Sequence, residues 1–174
     1  MLTVKDILQG ASGSALAWAV SPHLRFRDAV NDSLLARQGS LFVALRGERY
    51  GHEFIADARA RGAHGVIAER IVSGLEHLAE ADREQFAYFL VPNSLQALQE
   101  VAAYWRRRHP VETVGITGSV GKTTTKEMVA AVLSRRFRVL KNEKNLNNEI
   151  GLPLSLLRLG KRHEVAVLEM GMYA

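Results

Sequence analysis

Apolar residues recur along the chain at two spacings, and each spacing predicts a different element. Val4, Ile7 and Leu8 share one face of a short helix that Thr3 can cap, with Asp6 at its third position and Gly10 at its end. Residues 11–38 hold Gly, Ser and Pro22 and show no clean period, apart from a strand expected over about 24–30. The unbroken run SLFVAL (40–45) predicts a buried strand. Gly47 and Gly51 mark the turn after it, and a helix is expected at about 53–61, ending at Gly62. HGVIAE (64–69) and FAYFLV (86–91) predict two more strands, and Pro92 stops the second. Asn93 can cap a helix over 94–108, with Gln96 placed for a near capping box and Leu95, Leu98, Ala102 and Trp105 at helical spacing. Pro110 ends that helix, so a domain boundary falls at about 109–112 and divides the chain into 1–110 and 111–174.

The second part opens with a strand over 112–117 and a glycine-rich turn. A helix follows at about 122–134, with Met128, Val129, Val132 and Leu133 as its apolar set. A strand at 137–140, a polar loop through 141–148, a helix at about 149–158 and a strand over 164–170 complete the pattern. Strands that alternate with helices imply an α/β fold with parallel pairing and right-handed crossovers. Trp18, Trp105, Phe42, Phe54, Phe86 and Phe89 are expected in the core or at interfaces.

Composition narrows the class. The chain has 174 residues, 47% apolar and 24% charged, the balance of an ordinary globular protein. Net charge is +5, and the densest basic run, Arg106-Arg107-Arg108-His109, ends a predicted helix, where the dipole favours cations. An anionic small substrate also suits this charge. A nucleic-acid binder is the weakest reading, and no nucleic-acid partner is expected. The absence of cysteine excludes disulfides and Cys-based zinc sites. No apolar run approaches the ~18 residues that span a membrane, so no membrane insertion is expected. The N-terminus lacks a signal-peptide layout, which makes the cytoplasm the expected compartment. The chain stops soon after a buried strand, and it reads as a fragment.

TVGITGSVGKTTTKEM (113–128) carries the chemistry. A phosphate cradle needs backbone amides free of bulky side chains, and Gly118 and Gly121 permit the tight turn around Ser119 and Val120. A helix opening at Lys122 presents unpaired N–H groups and a positive dipole end. Lys122 adds a point charge for the outer phosphates, Thr123 a hydroxyl for Mg2+, and Thr124 follows in the first turn. The usual P-loop spacing calls for Gly at 116, where this chain has Ile116. Glu169, at the C-terminal end of a predicted parallel strand, is either an Mg2+ ligand or a capping carboxylate. Asn145, Asn147 and Asn148 form an amide cluster that suits either caps or a site. No Ser-His-Asp or metal-histidine spacing is present.

GITGSVGKTTTKEM resembles the nucleotide loop of the Mur ligases, whose Thr-Gly-x-x-Gly-Lys-[Thr/Ser] spacing accommodates Ile116. Four further blocks agree in order: 40–69 with the family's N-terminal uridine-nucleotide domain, 91–110 with its linking helix, and 142–159 and 164–174 with its central ATPase domain. The resemblance makes Glu169 the Mg2+ partner of Thr123. It places the asparagine loop beside phosphates and substrate, Asn148 first and Asn145 second. Asp32 and Ser33 resemble part of an Asp-Ser-Arg that contacts the uridine nucleotide, but Leu34 replaces the arginine. Gly47 and His52 fall in a second substrate loop, where Tyr50 replaces the usual Asp before Gly-His.

By this resemblance the function is ATP-dependent amide synthesis in peptidoglycan assembly, with ATP and Mg2+ as cofactors. Lys122 and Asn148 would be its catalytic residues. The asparagine block points to the member joining D-alanyl-D-alanine to a UDP-N-acetylmuramoyl tripeptide through an acyl phosphate. The resemblance implies a three-domain protein, monomeric when full length, of which this chain has the first domain and the start of the second. The piece alone is expected to lack ligase activity. A sister ligase adding another amino acid, or a P-loop module without ligase chemistry, remain the alternatives.

Overall fold

The computed structural model describes residues 1–11, 24–47, 50–72, 85–143 and 146–171, together with the backbone of 16–18. The chain divides into two compact units, Met1–Tyr104 and Trp105–Ala174, so the division falls inside a helix, Ser94–Arg108.

The first unit is built on a five-stranded sheet. In chain order its strands are β2 (Leu16–Trp18), β4 (Asp28–Val30), β5 (Ser40–Val43), β6 (Gly65–Ala68) and β7 (Ala87–Leu90). Their spatial order is β2-β7-β6-β5-β4, parallel except for β2, which runs antiparallel to β7. Every residue of β5 and β6 is buried, as expected for central parallel strands covered on both faces. Phe42, Val66, Phe86 and Tyr88 meet Ile55 and Ala58 of the helix α2 (Ile55–Ala60) in one core, with Phe54 packed against it. Phe26 meets Phe89 edge to face, with ring centres 6.1 Å apart. The side chain of Trp18 lies outside the described residues.

The helix α1 (Val4–Gly10) starts with the capping expected of it. Thr3 Oγ1 accepts from the Asp6 N–H at 3.3 Å, and the Asp6 carboxylate accepts from the Thr3 N–H at 2.9 Å. The single strand expected over 24–30 is two strands. β3 (Arg25–Phe26) pairs antiparallel with β1 (Leu2–Thr3), whereas β4 joins the large sheet. The chain changes sheets at Arg27, whose N–H goes to Gly39 O at 2.9 Å. At the helix α3 (Ser94–Arg108), Asn93 Oδ1 caps the Gln96 N–H at 2.9 Å, as expected. The Gln96 side chain does not close a box, because it donates instead to Glu100 one turn on, at 2.8 Å.

The second unit holds a three-stranded parallel sheet in the order β8-β10-β9, from β8 (Glu112–Ile116), β9 (Val139–Lys141) and β10 (Val165–Glu169). The helix α4 (Lys122–Leu133) packs on it through Ala130, with Val129 and Leu133 alongside, against Ile116, Val165 and Val167. Met128 and Val132 are not core residues as expected; they are 65% and 71% exposed. The inward face of α4 runs instead through Lys126, Ala130 and Leu133, and a lysine at the first of these positions hid the true phase of the helix. The Trp105 indole donates to Leu159 O at 2.9 Å within this unit. Among the described residues no helix is long and apolar enough to cross a membrane.

Candidate functional site

Register builds the site in the second unit. β10 pairs Glu169 with Ile116, the last residue of β8 before the loop 117–121, so the carboxylate stands beside the loop at the C-terminal edge of the sheet. Ligands gather at this edge in open α/β sheets. Gly118 (φ +138°) and Gly121 (φ +79°) adopt backbone conformations that favour glycine, and Gly121 leads directly into α4. A Cβ built on Gly121 would meet nothing within 4 Å, and one on Gly118 would reach only Val120 O at 3.9 Å. No side chain crowds the turn at these two positions, so its backbone amides stay accessible, as a phosphate cradle needs. Ser119, Val120, Thr123 and Thr124 are exposed around it. Lys122 bends back over the turn, with its Nζ donating to Gly118 O at 2.7 Å.

Glu169 is the centre of the polar network. Its Oε2 accepts from Thr123 Oγ1 at 2.9 Å, and its Oε1 accepts from Asn147 Nδ2 at 2.8 Å. Lys126 Nζ lies 3.7 Å from Oε2 and donates to Asn142 O at 3.0 Å. Asn142 completes the support. Its Oδ1 accepts from the Glu169 N–H and its Nδ2 donates to Glu169 O, each at 2.9 Å. β9 pairs only as far as Lys141 with Val167, so the Asn142 side chain continues the ladder where the strand stops. Burial alone pushes the Glu169 carboxyl up. Hydrogen bonds from Asn147 and Thr123 and the charges of Lys126 and Lys122 outweigh it and hold the group below its ordinary 4.5. Glu169 is therefore an anion at neutral pH.

The two residues expected to share Mg2+, Thr123 and Glu169, are in direct contact. Asn148 has a different position: its Oδ1 accepts from Gly151 N–H at 2.7 Å and Ile150 N–H at 3.2 Å, closing the start of the helix α5 (Gly151–Leu156). Asn147 is the amide that reaches the carboxylate. Asn145 lies outside the described residues. Sequence reasoning missed Lys126 and Asn142. Lys126 follows Thr123 by three residues, hence on the same helix face, and that spacing was its available signal.

The substrate residues expected in the first unit are held by structural partners. Asp32 Oδ1 accepts from the Leu34 N–H at 2.9 Å, closing a 3-10 turn, and the buried Ser33 hydrogen-bonds Asp57. Gly47 lies in an exposed bend. His52 is 1% exposed, and its Nε2 accepts from the Glu69 N–H at 2.9 Å. Burial is the main cause lowering its pKa, opposed by Glu69 and assisted by Arg70 and Arg46. Glu69 also takes Arg46 Nε at 2.6 Å and the Ser94 N–H at 3.1 Å, so it joins the segments following β5, β6 and β7. The Tyr50 ring lies 5.9 Å from the Arg46 guanidinium and 5.0 Å from that of Arg70. This cationic cluster escaped the sequence reading, because Arg46 and Arg70 are 24 positions apart and meet only through the sheet.

The chain is similar in sequence and in fold to known proteins. Residues 116–174 match the Mur ligase middle domain. The chain is 46% identical over 154 residues to the UDP-N-acetylmuramoyl-tripeptide–D-alanyl-D-alanine ligase of Synechocystis, covering 88% of this chain and 32% of that protein. It is 39% identical over 173 residues to the Bacillus subtilis protein of the same name, covering 99% and 36%. Among solved structures, MurF from Acinetobacter baumannii superposes with a TM-score of 0.81 at 35% identity, over 98% of this chain and 36% of that one. MurF ligase from Thermotoga maritima in complex with ADP superposes at 0.68 with 39% identity, over 87% and 33%. The chain thus spans about a third of the length of the relatives it matches.

Proposed function

The chain belongs to the Mur ligase family, and on that premise we propose that it carries the nucleotide-phosphate site of an ATP-dependent ligase. That ligase joins D-alanyl-D-alanine to a UDP-N-acetylmuramoyl tripeptide. The observation that carries the reading is the 2.9 Å contact between Thr123 Oγ1 and Glu169 Oε2 beside an open glycine turn.

In this reading the turn 117–121 and the first amides of α4 receive the phosphates. Lys122 Nζ leaves Gly118 O to meet the outer phosphate, trading a carbonyl for a formal charge. Thr123 and Glu169 hold Mg2+. The donor set fits the ion, since both are hard oxygen ligands, and Mg2+ is commonly held by one carboxylate plus substrate phosphates. When bound, ATP and Mg2+ supply an activated phosphoryl group that turns a carboxylate into an acyl phosphate open to amine attack. The share of these residues is positioning and charge neutralisation. Asn147 and Asn142 keep Glu169 in place. Asn148 acts through the helix start it caps.

Residues 1–110 are assigned to the UDP-linked substrate and 111–174 to ATP. The relatives' names support the substrates, and the basic cluster Arg46–Tyr50–Arg70 suits an anionic partner. A cysteine-free chain suits the reducing cytoplasm, where the full-length protein would act as a monomer.

Calorimetric titration of the chain with ADP and with UDP, each with and without Mg2+, tests the reading. Saturable ADP binding that tightens with Mg2+ is the expected result. Equal ADP binding in the presence of a chelator would refute the assigned metal role, and UDP binding separates a ligase from a plain P-loop module.

A further inference from the structure

Lys126 stands beside Glu169 but takes no part in the phosphate and Mg2+ chemistry proposed above, yet it is buried at high cost. Its side chain is 1% exposed, one helical turn beyond Lys122. Burying an ammonium requires compensation by opposite charge and hydrogen bonds. The compensation here is Asn142 O at 3.0 Å, Glu169 Oε2 at 3.7 Å and Glu127 Oε1 at 3.4 Å. Glu127 is half-exposed and also hydrogen-bonds Lys141, so it is shared between two lysines. Glu169 is the buried counter-charge.

Glu169 is also the one acidic group of the Thr123 contact. A single carboxylate and a hydroxyl make a weak Mg2+ site, and an ammonium 3.7 Å from the ligating oxygen weakens it further, by repelling the cation and occupying the carboxylate's field. Nucleotide phosphates reverse that balance because they bring several negative charges to the same turn. Among the described residues no group of three or more His, Cys, Asp or Glu side chains could hold a metal ion.

We propose that Lys126 is a positioning residue and built-in counter-charge that keeps the Thr123–Glu169 pair from loading a divalent cation until a nucleotide polyphosphate arrives. It aims the carboxylate, neutralises it in the nucleotide-free protein, and makes cation binding conditional on the nucleotide. The inference rests on the proposed reading of this turn as a nucleotide and Mg2+ site.

Titration with Mn2+, followed by electron paramagnetic resonance of the free ion, tests it on the 174-residue chain with and without ADP. The unaltered chain is expected to bind Mn2+ weakly alone and tightly with ADP. Lys126→Gln deletes the charge but keeps a donor for Asn142 O. It is expected to raise nucleotide-free Mn2+ affinity by about tenfold or more, and adding Glu169→Gln is expected to abolish that gain. A purely structural lysine predicts no gain. Unchanged or weaker Mn2+ binding by a folded Lys126→Gln chain, with ADP-dependent binding retained, overturns this proposal alone. Absence of ADP-dependent Mn2+ binding in the unaltered chain overturns the site reading and this proposal with it. Should Lys126→Gln fail to fold, circular dichroism of the Lys126→Met, Glu169→Gln chain decides. Recovery of the fold supports the charge pairing, because both buried charges are removed together, and failure to recover overturns it.

Discussion

Asn142 grips the main chain of Glu169 from both sides, accepting its N–H and donating to its carbonyl, each at 2.9 Å. The same amide also donates to Leu146 O at 2.8 Å. One side chain thus ties the end of β10 to the asparagine loop, at the point where the β9 ladder has run out.

Asn142→Ala should therefore be among the more damaging single changes in the second unit. It leaves the buried Glu169 N–H and carbonyl, and the partly buried Leu146 carbonyl, without these partners. Each unsatisfied group costs about 1–3 kcal/mol, so a loss of at least about 2 kcal/mol is expected. Urea unfolding of the two chains measures it. A change within about 0.5 kcal/mol, the range of a neutral surface substitution, would remove Asn142 from its assigned role.

Thr123→Ala removes the hydroxyl that meets Glu169, whereas Thr123→Ser keeps it. Mg2+-dependent ADP affinity should fall at least about tenfold in the first, the worth of one hydrogen bond to a charged group, and stay within about threefold in the second. Calorimetry with and without Mg2+ reads both. Equal losses in the two variants would mean that the methyl group, not the hydroxyl, matters.

Gly121→Ala tests the turn. At φ +79° an L side chain is strained by about 1–2 kcal/mol, although the added Cβ meets nothing within 4 Å. The expected result is a modest stability loss with a larger loss of ADP affinity, because relief of the strain reshapes the turn that receives the phosphates. Gly160→Ala is the control: its Cβ also meets nothing within 4 Å and its backbone is not left-handed. Thermal denaturation should separate the pair.

His52 makes stability depend on pH. Burial lowers its folded pKa below the ordinary 6.5. The unfolded chain therefore takes up a proton before the folded chain does. Stability is full above about 6.5 and falls as pH drops through the lowered folded value. His163 is lowered in the same direction by burial and neighbouring arginines, so His52→Gln should flatten only part of the slope. Melting temperatures between pH 8 and 5 test this, and parallel slopes for both chains would exclude His52 as a source.

The pattern of the sequence by itself determined most of the elements and the chemistry of the turn. Apolar runs such as 40–45 and 164–170 became buried parallel strands, because a strand covered on both faces needs no polar alternation. The Thr3–Asp6 box and the Gly-Lys-Thr turn were legible because their partners lie within a few residues. Tertiary structure decided the rest, since pairing across distant segments leaves no local period. It brought Thr123 to Glu169 across 46 positions, chose Asn147 over Asn148 for the carboxylate, and gave His52 to Glu69. It also buried Lys126, whose charge concealed the inner face of its own helix. A lysine can occupy that position only because β9 and β10 end beside it with a carbonyl and a carboxylate, and sheet register alone sets where they end.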